Sequence, residues 1–209
     1  MKHLIIYMLI CLSALLSFCY YSSACYSKNT NNETIIDSIN RKEILKENLE
    51  ENVKKNLKND LTKEVRNYIL DNSKHTNVSF VTEISEHIVN RALDNHIDIC
   101  FILAQGHLET GFGSYGIGKS KKSIFGVYKH HNNYIECIDY YICLLRSNYL
   151  VNKTEKQLMN NYVNKNGYRY AEDKKYEHTL KNYYSKVNKS TSISELQSKY
   201  TYLKLNKNG

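Results

Sequence analysis

The segment from Asp98 to Tyr128 reads DICFILAQGHLETGFGSYGIGKSKKSIFGVY. It begins with an apolar run, Ile99 to Ala104, preceded by Asp98, a residue type that favours the N-cap position of a helix. The run predicts a buried helix that carries one carboxylate, Glu109, to its C-terminal end. Four glycines follow Glu109 within nine residues. Because each glycine costs about 1 kcal/mol in a helix relative to alanine, the chain is expected to turn beside Glu109 and leave it at the lip of a cleft.

Glu109 is the candidate catalytic residue of this stretch. A carboxyl at a buried helix end loses part of its hydration, and desolvation raises the pKa of a carboxyl. A carboxyl that stays protonated near neutral pH can act as the general acid of glycoside cleavage. A helix-terminal glutamate is also commonly no more than a solvated residue, so its position alone leaves both interpretations open.

A short β-hairpin is predicted after the glycines. The apolar segment Ile124–Tyr128 has strand character, and Tyr134–Ile135 would supply the second strand. His130 and His131 lie near the turn between them. Because no third ligand lies nearby at a known spacing, the pair favours a solvated turn over a metal site, and no metal or other cofactor is expected.

Residues 1–24 have the pattern of an export signal. Lys2 starts it, residues 4–18 are apolar, and residues 22–24 offer a small-x-small cleavage site. The apolar run is shorter than the roughly 20 residues that a membrane-spanning helix needs. We therefore expect an exported protein of the cell envelope, periplasmic or extracellular. Cys25 would follow the cut and leaves a lipid anchor open as the membrane contact.

Residues 25–76 are predicted to form a tether and a charged helical stalk. Residues 33–72 contain no glycine, and every fourth residue from Leu45 to Ile69 is apolar. A period of four drifts by about 40° per step around a helix, so the stripe does not define one partner face. The pattern favours a stalk or a helix broken into two pieces. The alternatives are a dimerising stalk and a brace packed on the domain that follows.

The domain is predicted to span residues 77–189, with a C-terminal tail of unassigned role over 190–209. Helices are expected at residues 79–94 with Ser79 as a cap, at 136–150, and over a shorter stretch at 154–164. The four cysteines beyond the signal show no C-x-x-C spacing, which favours free thiols over disulfides.

Charge is distributed unevenly along the chain, whose net charge is +8. Residues 1–109 hold 12 Lys and Arg against 14 Asp and Glu, whereas residues 110–209 hold 17 against 7. The basic half begins where the predicted cleft begins, which favours an anionic polymer as the partner. Nucleic acid and bacterial cell wall both qualify, and the export signal favours the wall.

Four segments of the chain match the motifs of one known family. Ala104–Gly113, AQGHLETGFG, is similar to A-Q-x-x-L-E-[ST]-G-W-G, and Ser123–Val127, SIFGV, is similar to N-L-F-G-I-K. Tyr134–Tyr140, YIECIDY, resembles F-x-s-x-e-S-I-x-D-Y, and Gly167–Tyr176, GYRYAEDKKY, resembles G-Y-A-[TE]-D-P-x-Y. These are motifs of the glucosaminidase domain, glycoside hydrolase family 73. They stand in family order and cover roughly residues 79–187.

The resemblance implies a fold and an activity. The fold would be α+β but predominantly α, a lysozyme-like domain with a small β-hairpin lobe, here preceded by a helical N-terminal extension. The activity would be an endo-β-N-acetylglucosaminidase that cleaves the β-1,4 bond after N-acetylglucosamine in peptidoglycan, with glycan strands as the partner. Glu109 would be the general acid, and Tyr170 would line the cleft near the scissile bond. The implied substrate-binding residues are Gln105, Phe112, Phe125 and Tyr128.

The second catalytic group remains open at this stage. Hydrolysis by two carboxylates needs a partner about 5 to 9.5 Å away, and residues 110–135 contain no Asp or Glu. Glu136 and Asp139 are the nearest candidates. Glu136 is equally well placed to begin a helix, and Asp139 matches a motif position with a structural character. Participation by the substrate's own acetamide would remove the need for a partner. A lytic transglycosylase with the same acid and a non-catalytic wall-binding module are the alternatives.

Overall fold

The computed structural model describes residues 31–127 and 129–205, with side chains given from residue 41 onward. The predicted export signal and Cys25 lie outside the described residues. Helices dominate, which confirms the prediction of a predominantly α fold. In chain order they are α1 Asn31–Asn72, α2 Val78–Asn95, α3 Ile99–Thr110, α4 Gly116–Ser120, α5 Tyr134–Leu144, a π-helical turn Leu145–Tyr149, α6 Glu155–Leu158, α7 Tyr176–Ser190 and α8 Ile193–Leu205.

The central helix is α3, and α7 packs along it. Asp98 caps α3 as predicted, because its side chain accepts a hydrogen bond from the Cys100 N–H at 2.8 Å. Helix α8 supplies Gln197, whose amide oxygen accepts from the Ile99 N–H at 2.9 Å and whose amide group donates to the Ile97 carbonyl at 2.8 Å. Much of the segment predicted as a tail is therefore a helix that holds the beginning of α3.

The glycine turn ends α3 where the sequence predicts. Gly111 adopts a left-handed conformation with φ of +54°, and its N–H donates to the His107 carbonyl at 3.2 Å. The N–H of Phe112 donates to the Gly106 carbonyl at 3.0 Å, so the last turn of the helix is closed by backbone hydrogen bonds. The chain leaves this turn and enters the short helix α4.

The predicted β-hairpin is not found in the part of the chain that the structure describes. Tyr134–Ile135 begin α5 instead of a strand, because the Asn133 side chain accepts a hydrogen bond from the Glu136 N–H at 2.8 Å and caps the helix. Residues 124–127 form a loop. The β pairing that occurs among the described residues is an isolated antiparallel bridge between Val163 and Arg169.

Helix α1 is continuous from Asn31 to Asn72, so of the two predicted alternatives, a stalk and a helix broken into two pieces, the structure does not contain the break. The compact unit that contains α2 to α8 begins at Glu50 and not at residue 77, and the described residues before Glu50 belong to a separate unit. Within the larger unit, the last turns of α1 are a brace: Val65 and Ile69 are fully buried in the core. Leu45, in the smaller unit, is 66% exposed, as expected for a stripe that drifts around its helix.

The remaining helices differ from the predictions mainly at their ends. Asn77 caps α2 in place of Ser79, accepting from the Phe80 N–H at 3.0 Å. Helix α5 and the π-helical turn together cover the helix predicted at 136–150, and α6 is much shorter than the predicted 154–164. The described cysteines are free thiols, as predicted.

Among the helices of the described ranges, none combines the length and the apolar character that a membrane span requires.

Candidate active site

The carboxyl of Glu109 lies in the last turn of α3, between a tyrosine and a glycine. The hydroxyl of Tyr176, in the first turn of α7, donates a hydrogen bond to Glu109 Oε1 at 2.5 Å. The other carboxylate oxygen, Oε2, lies against Gly126, where a Cβ atom would overlap it. Gly126 has φ of +68°, a left-handed conformation that side chains disfavour. Both the backbone angle and the space therefore require glycine at this position.

Burial sets the charge state of this carboxyl. Glu109 is half-buried, and the loss of hydration raises its pKa above the ordinary value of 4.5, while the hydrogen bond from Tyr176 offsets part of the rise. The net effect of these two causes is a raised pKa for Glu109. A carboxyl in this setting keeps its proton to a higher pH than a solvated glutamate, which is the property that the sequence predicts for a general acid.

A cluster of packed tyrosine rings lies beside Glu109. Tyr170 stacks on Tyr162 with ring centroids 4.7 Å apart and an angle of 8° between the planes. Its hydroxyl donates to the Phe125 carbonyl at 2.5 Å, which fixes the loop that carries Gly126. Tyr176 lies 5.7 Å from the Tyr170 ring. The structure thus brings Tyr170 into the same cluster as Glu109, and burial raises the pKa of the Tyr170 hydroxyl well above its usual range, so it remains a donor.

Gln105 contacts this tyrosine cluster and has no exposed surface. Its side-chain oxygen accepts hydrogen bonds from the hydroxyls of Tyr141 and Tyr162, the latter at 2.6 Å. The predicted contact of Gln105 with substrate is therefore wrong. The residue orients two buried tyrosines, because a buried amide oxygen requires hydrogen-bond donors.

Phe112 and Phe125 are also core residues, so their predicted places on the cleft wall are wrong. Phe112, with φ of +59°, turns its ring inward against Tyr68 of α1, with the ring planes 88° apart. Phe125 stacks on Tyr141 at a centroid distance of 3.8 Å. Tyr128, the fourth predicted substrate-binding residue, lies outside the described residues.

Glu136, the candidate second acid, has a different role in the structure. Its carboxylate accepts hydrogen bonds from the backbone N–H and the side-chain amide of Asn132, at 2.9 and 2.8 Å. These hydrogen bonds, the one from the backbone first, lower the pKa of Glu136. Glu136 fixes the loop before α5, and its hydrogen-bond partners are not those of Glu109. The structure therefore gives no support to Glu136 as the second acid.

Asp139, the other candidate, joins two helices. It pairs with His87 and Arg91 of α2, both at 2.8 Å. This ion-pair cluster fits the structural character that the sequence motif suggests. In the described part of the chain, the groups that bond to or press on the Glu109 carboxyl are a tyrosine and a glycine, with no second carboxylate among them.

His131 is buried, which corrects the prediction of a solvated turn. Its ring has no exposed surface and lies 5.5 Å from the ring of Tyr140, and burial lowers its pKa. The described residues contain no group of three or more His, Cys, Asp or Glu side chains placed to hold a metal ion.

Tyr176 is the site residue that sequence reasoning missed. It is 7% exposed and is the side chain that bonds to Glu109. The available signal was its position as the last residue of the segment Gly167–Tyr176, which contains three tyrosines. The sequence alone does not show which of the three approaches the acid.

Comparison of the chain with models of known protein families finds no match, and comparisons with curated proteins and with solved structures find none. The chemistry of the candidate site is defined by its own residues. It offers one protonatable carboxyl, a tyrosine hydroxyl bonded to it, and a partly exposed tyrosine at its side. This set can donate a proton to a leaving group and stabilise the carboxylate that remains.

Proposed function

We propose that this protein is an exported glycosidase that cleaves the β-1,4 bond after N-acetylglucosamine in peptidoglycan, with Glu109 as the general acid. One observation carries the proposal. Three of the four segments that resemble the glucosaminidase family are distant in sequence and meet at a single carboxyl: Glu109 from the first, Gly126 from the second and Tyr176 from the fourth. Motif resemblance by chance gives no reason for such a meeting.

The chemistry follows from the environment of Glu109. Its proton passes to the glycosidic oxygen as the bond from that oxygen to the sugar C1 breaks, and the leaving sugar departs with a neutral hydroxyl. The Tyr176 hydroxyl, already bonded to Oε1, then stabilises the carboxylate by a charge-assisted hydrogen bond. The ring of Tyr170 lies 5.7 Å from that of Tyr176 and is partly exposed, so it would be available to a bound sugar.

The carbon left at C1 needs an electron pair, and the groups that contact Glu109 in the described part of the chain include no second carboxylate for this purpose. We propose that the acetamide oxygen of the substrate attacks C1, and that water then opens the cyclic intermediate while Glu109 takes up a proton. Acetamide participation is an established route in other glycosidases. The domain around the site would be a variant of the lysozyme-like fold whose predicted β-lobe is replaced by a loop.

A lytic transglycosylase is the second candidate, and the single carboxylate favours it. Such an enzyme uses one glutamate first as acid and then as base, and the muramyl 6-hydroxyl takes the place of water. Mass spectrometry of the released fragments separates the two functions. Reducing N-acetylglucosamine ends indicate the hydrolase, and 1,6-anhydro-muramyl ends indicate the transglycosylase.

The decisive experiment compares two isosteric variants in a peptidoglycan-clearing assay. Glu109→Gln removes the transferable proton and is expected to lower the rate by about 10² to 10⁴-fold, the usual contribution of a general acid. Glu136→Gln is the matched control, because its carboxylate fixes a loop and does not touch Glu109. It is expected to keep activity within about threefold of the unsubstituted protein.

Circular dichroism would establish that both variants fold. Full clearing by Glu109→Gln would refute the proposal. Binding to peptidoglycan with no soluble fragments, from the unsubstituted protein itself, would instead indicate a non-catalytic wall-binding module.

A further inference from the structure

A polar groove lies between α1 and α2, formed by residues other than those of the Glu109 cluster. It encloses about 380 Å³. Three cationic side chains, one carboxylate and four neutral polar side chains line it, and no apolar side chain does. They are Lys58, Asn59, Thr62, Lys63 and Arg66 of α1, and Thr82, Glu86 and Asn90 of α2. A groove of this composition is suited to a polar, charged ligand.

Charge in the groove is mainly positive and uncompensated. Lys58, Lys63 and Arg66 all come from α1, and within the described residues none of the three forms an ion pair. Two of the cations, Lys63 and Arg66, are three residues apart and are therefore neighbours on one face of the helix. An anion placed between them gains charge-assisted hydrogen bonds, which are stronger than neutral ones. Arg66 can also bind two oxygens of a phosphoryl group at once.

The α2 side of the groove presents acceptors. The side-chain oxygen of Asn90 is buried and has no hydrogen-bond partner among the described residues. The hydroxyl of Thr82 donates to the Val78 carbonyl at 2.8 Å, which leaves its oxygen free to accept. Glu86 adds a carboxylate without a cationic partner in the described part of the chain. A buried oxygen without a donor is costly, by about 1 to 3 kcal/mol, so a ligand that donates hydrogen bonds is favoured here.

We propose that this groove binds a phosphorylated polyol. The phosphoryl group would lie against the cations of α1, and the neighbouring hydroxyl groups would donate to Glu86, Asn90 and Thr82 of α2. The α1 side of the groove offers cations and the α2 side offers hydrogen-bond acceptors. A phosphorylated polyol carries both an anionic group and hydroxyl donors, so it complements both sides. The inference is independent of the proposed glycosidase activity, because the residues of the two sites do not overlap.

The test is a binding titration of the full chain with glycerol 3-phosphate, followed by calorimetry and by the backbone amide signals of the groove residues in NMR spectra. The expected result is saturable binding whose chemical-shift changes centre on residues 58–66 and 82–90. The double variant K63A/R66A is expected to weaken binding by about tenfold or more, since it removes two charge-assisted contacts. The control K54A/K55A removes the same charge from the same helix outside the groove and is expected to leave binding within about twofold.

Comparison with inorganic phosphate tests separately whether the hydroxyl groups of the polyol contribute to binding. Glycerol 3-phosphate is expected to bind at least about fivefold more tightly than inorganic phosphate, and Asn90→Ala is expected to reduce that preference. Equal affinity for the two anions would overturn the assignment of a polyol. Equal weakening by both double variants would overturn the site itself, because it would mark non-specific attraction to a basic protein.

A glycerol phosphate polymer identifies the source of the ligand. Tighter binding per phosphate to the polymer than to the monomer would assign the groove to a wall polymer, and equal binding would assign it to a free metabolite. Both results are consistent with recognition of a phosphorylated polyol by the groove. Since the readout is binding and not hydrolysis, failure here leaves the Glu109 proposal untouched, and failure of that proposal leaves this one untouched.

Discussion

The proton on Glu109 depends on a balance between lost water and one hydrogen bond. Burial raises the pKa of this carboxyl, and the hydrogen bond from Tyr176 lowers it in part, because a hydroxyl donor stabilises the ionised form. A general acid is active when protonated, so activity should be present below the pKa of Glu109 and lost as pH rises through it. The position of this loss on the pH axis therefore reports the balance.

Tyr176→Phe tests that balance directly. The substitution keeps the ring in place and removes the hydroxyl, so desolvation acts unopposed and the pKa of Glu109 rises further. We expect the fall of kcat/KM at high pH to move to higher pH. At low pH, where Glu109 is protonated in both proteins, the rate should fall by about tenfold or less, because only the stabilisation of the product carboxylate is lost. A shift to lower pH would contradict the assigned role of the hydroxyl.

Substitution of Gly126 tests whether crowding of the Glu109 carboxyl has an effect beyond that of backbone strain. Gly126→Ala places a methyl group against Glu109 Oε2 in a left-handed conformation, whereas Gly116→Ala has the same kind of φ, +58°, and open space around the new atom. We expect both to cost about 1 to 2 kcal/mol of unfolding free energy for the conformation, and Gly126→Ala to cost more and to lose most of its activity. Denaturant melts and clearing assays measure the two effects. Equal loss of activity in both variants would show that crowding is irrelevant.

At the scale of elements, α1 combines two behaviours along one continuous helix. Its last turns are packed into the core and its exposed stripe lies near the other end. Ile69→Ala empties a fully buried position and is expected to cost about 2 to 4 kcal/mol of unfolding free energy. Leu45→Ala, at a 66% exposed position of the same helix, is expected to stay within about 0.5 kcal/mol. Thermal and denaturant unfolding of the pair would measure the contrast, and similar costs would refute the brace.

The sequence predicts features that depend on local interactions better than features that depend on contacts between distant parts of the chain. Helix α3 and its Asp98 cap were predictable because the signals are local. The start of α5 was missed even though Asn133 and Glu136 form a local capping pattern, since the preceding apolar segment suggested a hairpin. The burial of Phe112 could not be predicted, because its partner Tyr68 comes from another helix.

The same distinction applies to the candidate site. Glu109 was identified from a helix end and a run of glycines, both visible in sequence. Gly126 and Tyr176 reach it only through the packing of a loop and of α7, and they lie 17 and 67 residues away along the chain. Contacts of this kind have no periodicity that a sequence would display.

At the scale of the whole molecule, charge should govern attachment to an anionic wall. The net charge is +8, and the second half of the chain carries the basic excess. Raising the salt concentration from about 0.05 M to about 0.5 M shortens the screening length severalfold, so retention on peptidoglycan should fall. Pull-down at several salt concentrations measures this, with the unfolding temperature as a control for folding. Retention that does not change with salt would place the attraction in uncharged contacts.

The hydrogen bonds from Gln197 to the beginning of α3 have a consequence for biosynthesis. The partner of the Ile99 N–H is made 98 residues later, which takes about 5 to 20 s at ordinary rates of translation. During that interval the apolar helix α3 lacks the segment that secures its first turn. We expect the first turn of α3 to stay open to non-native contacts until α8 is synthesised.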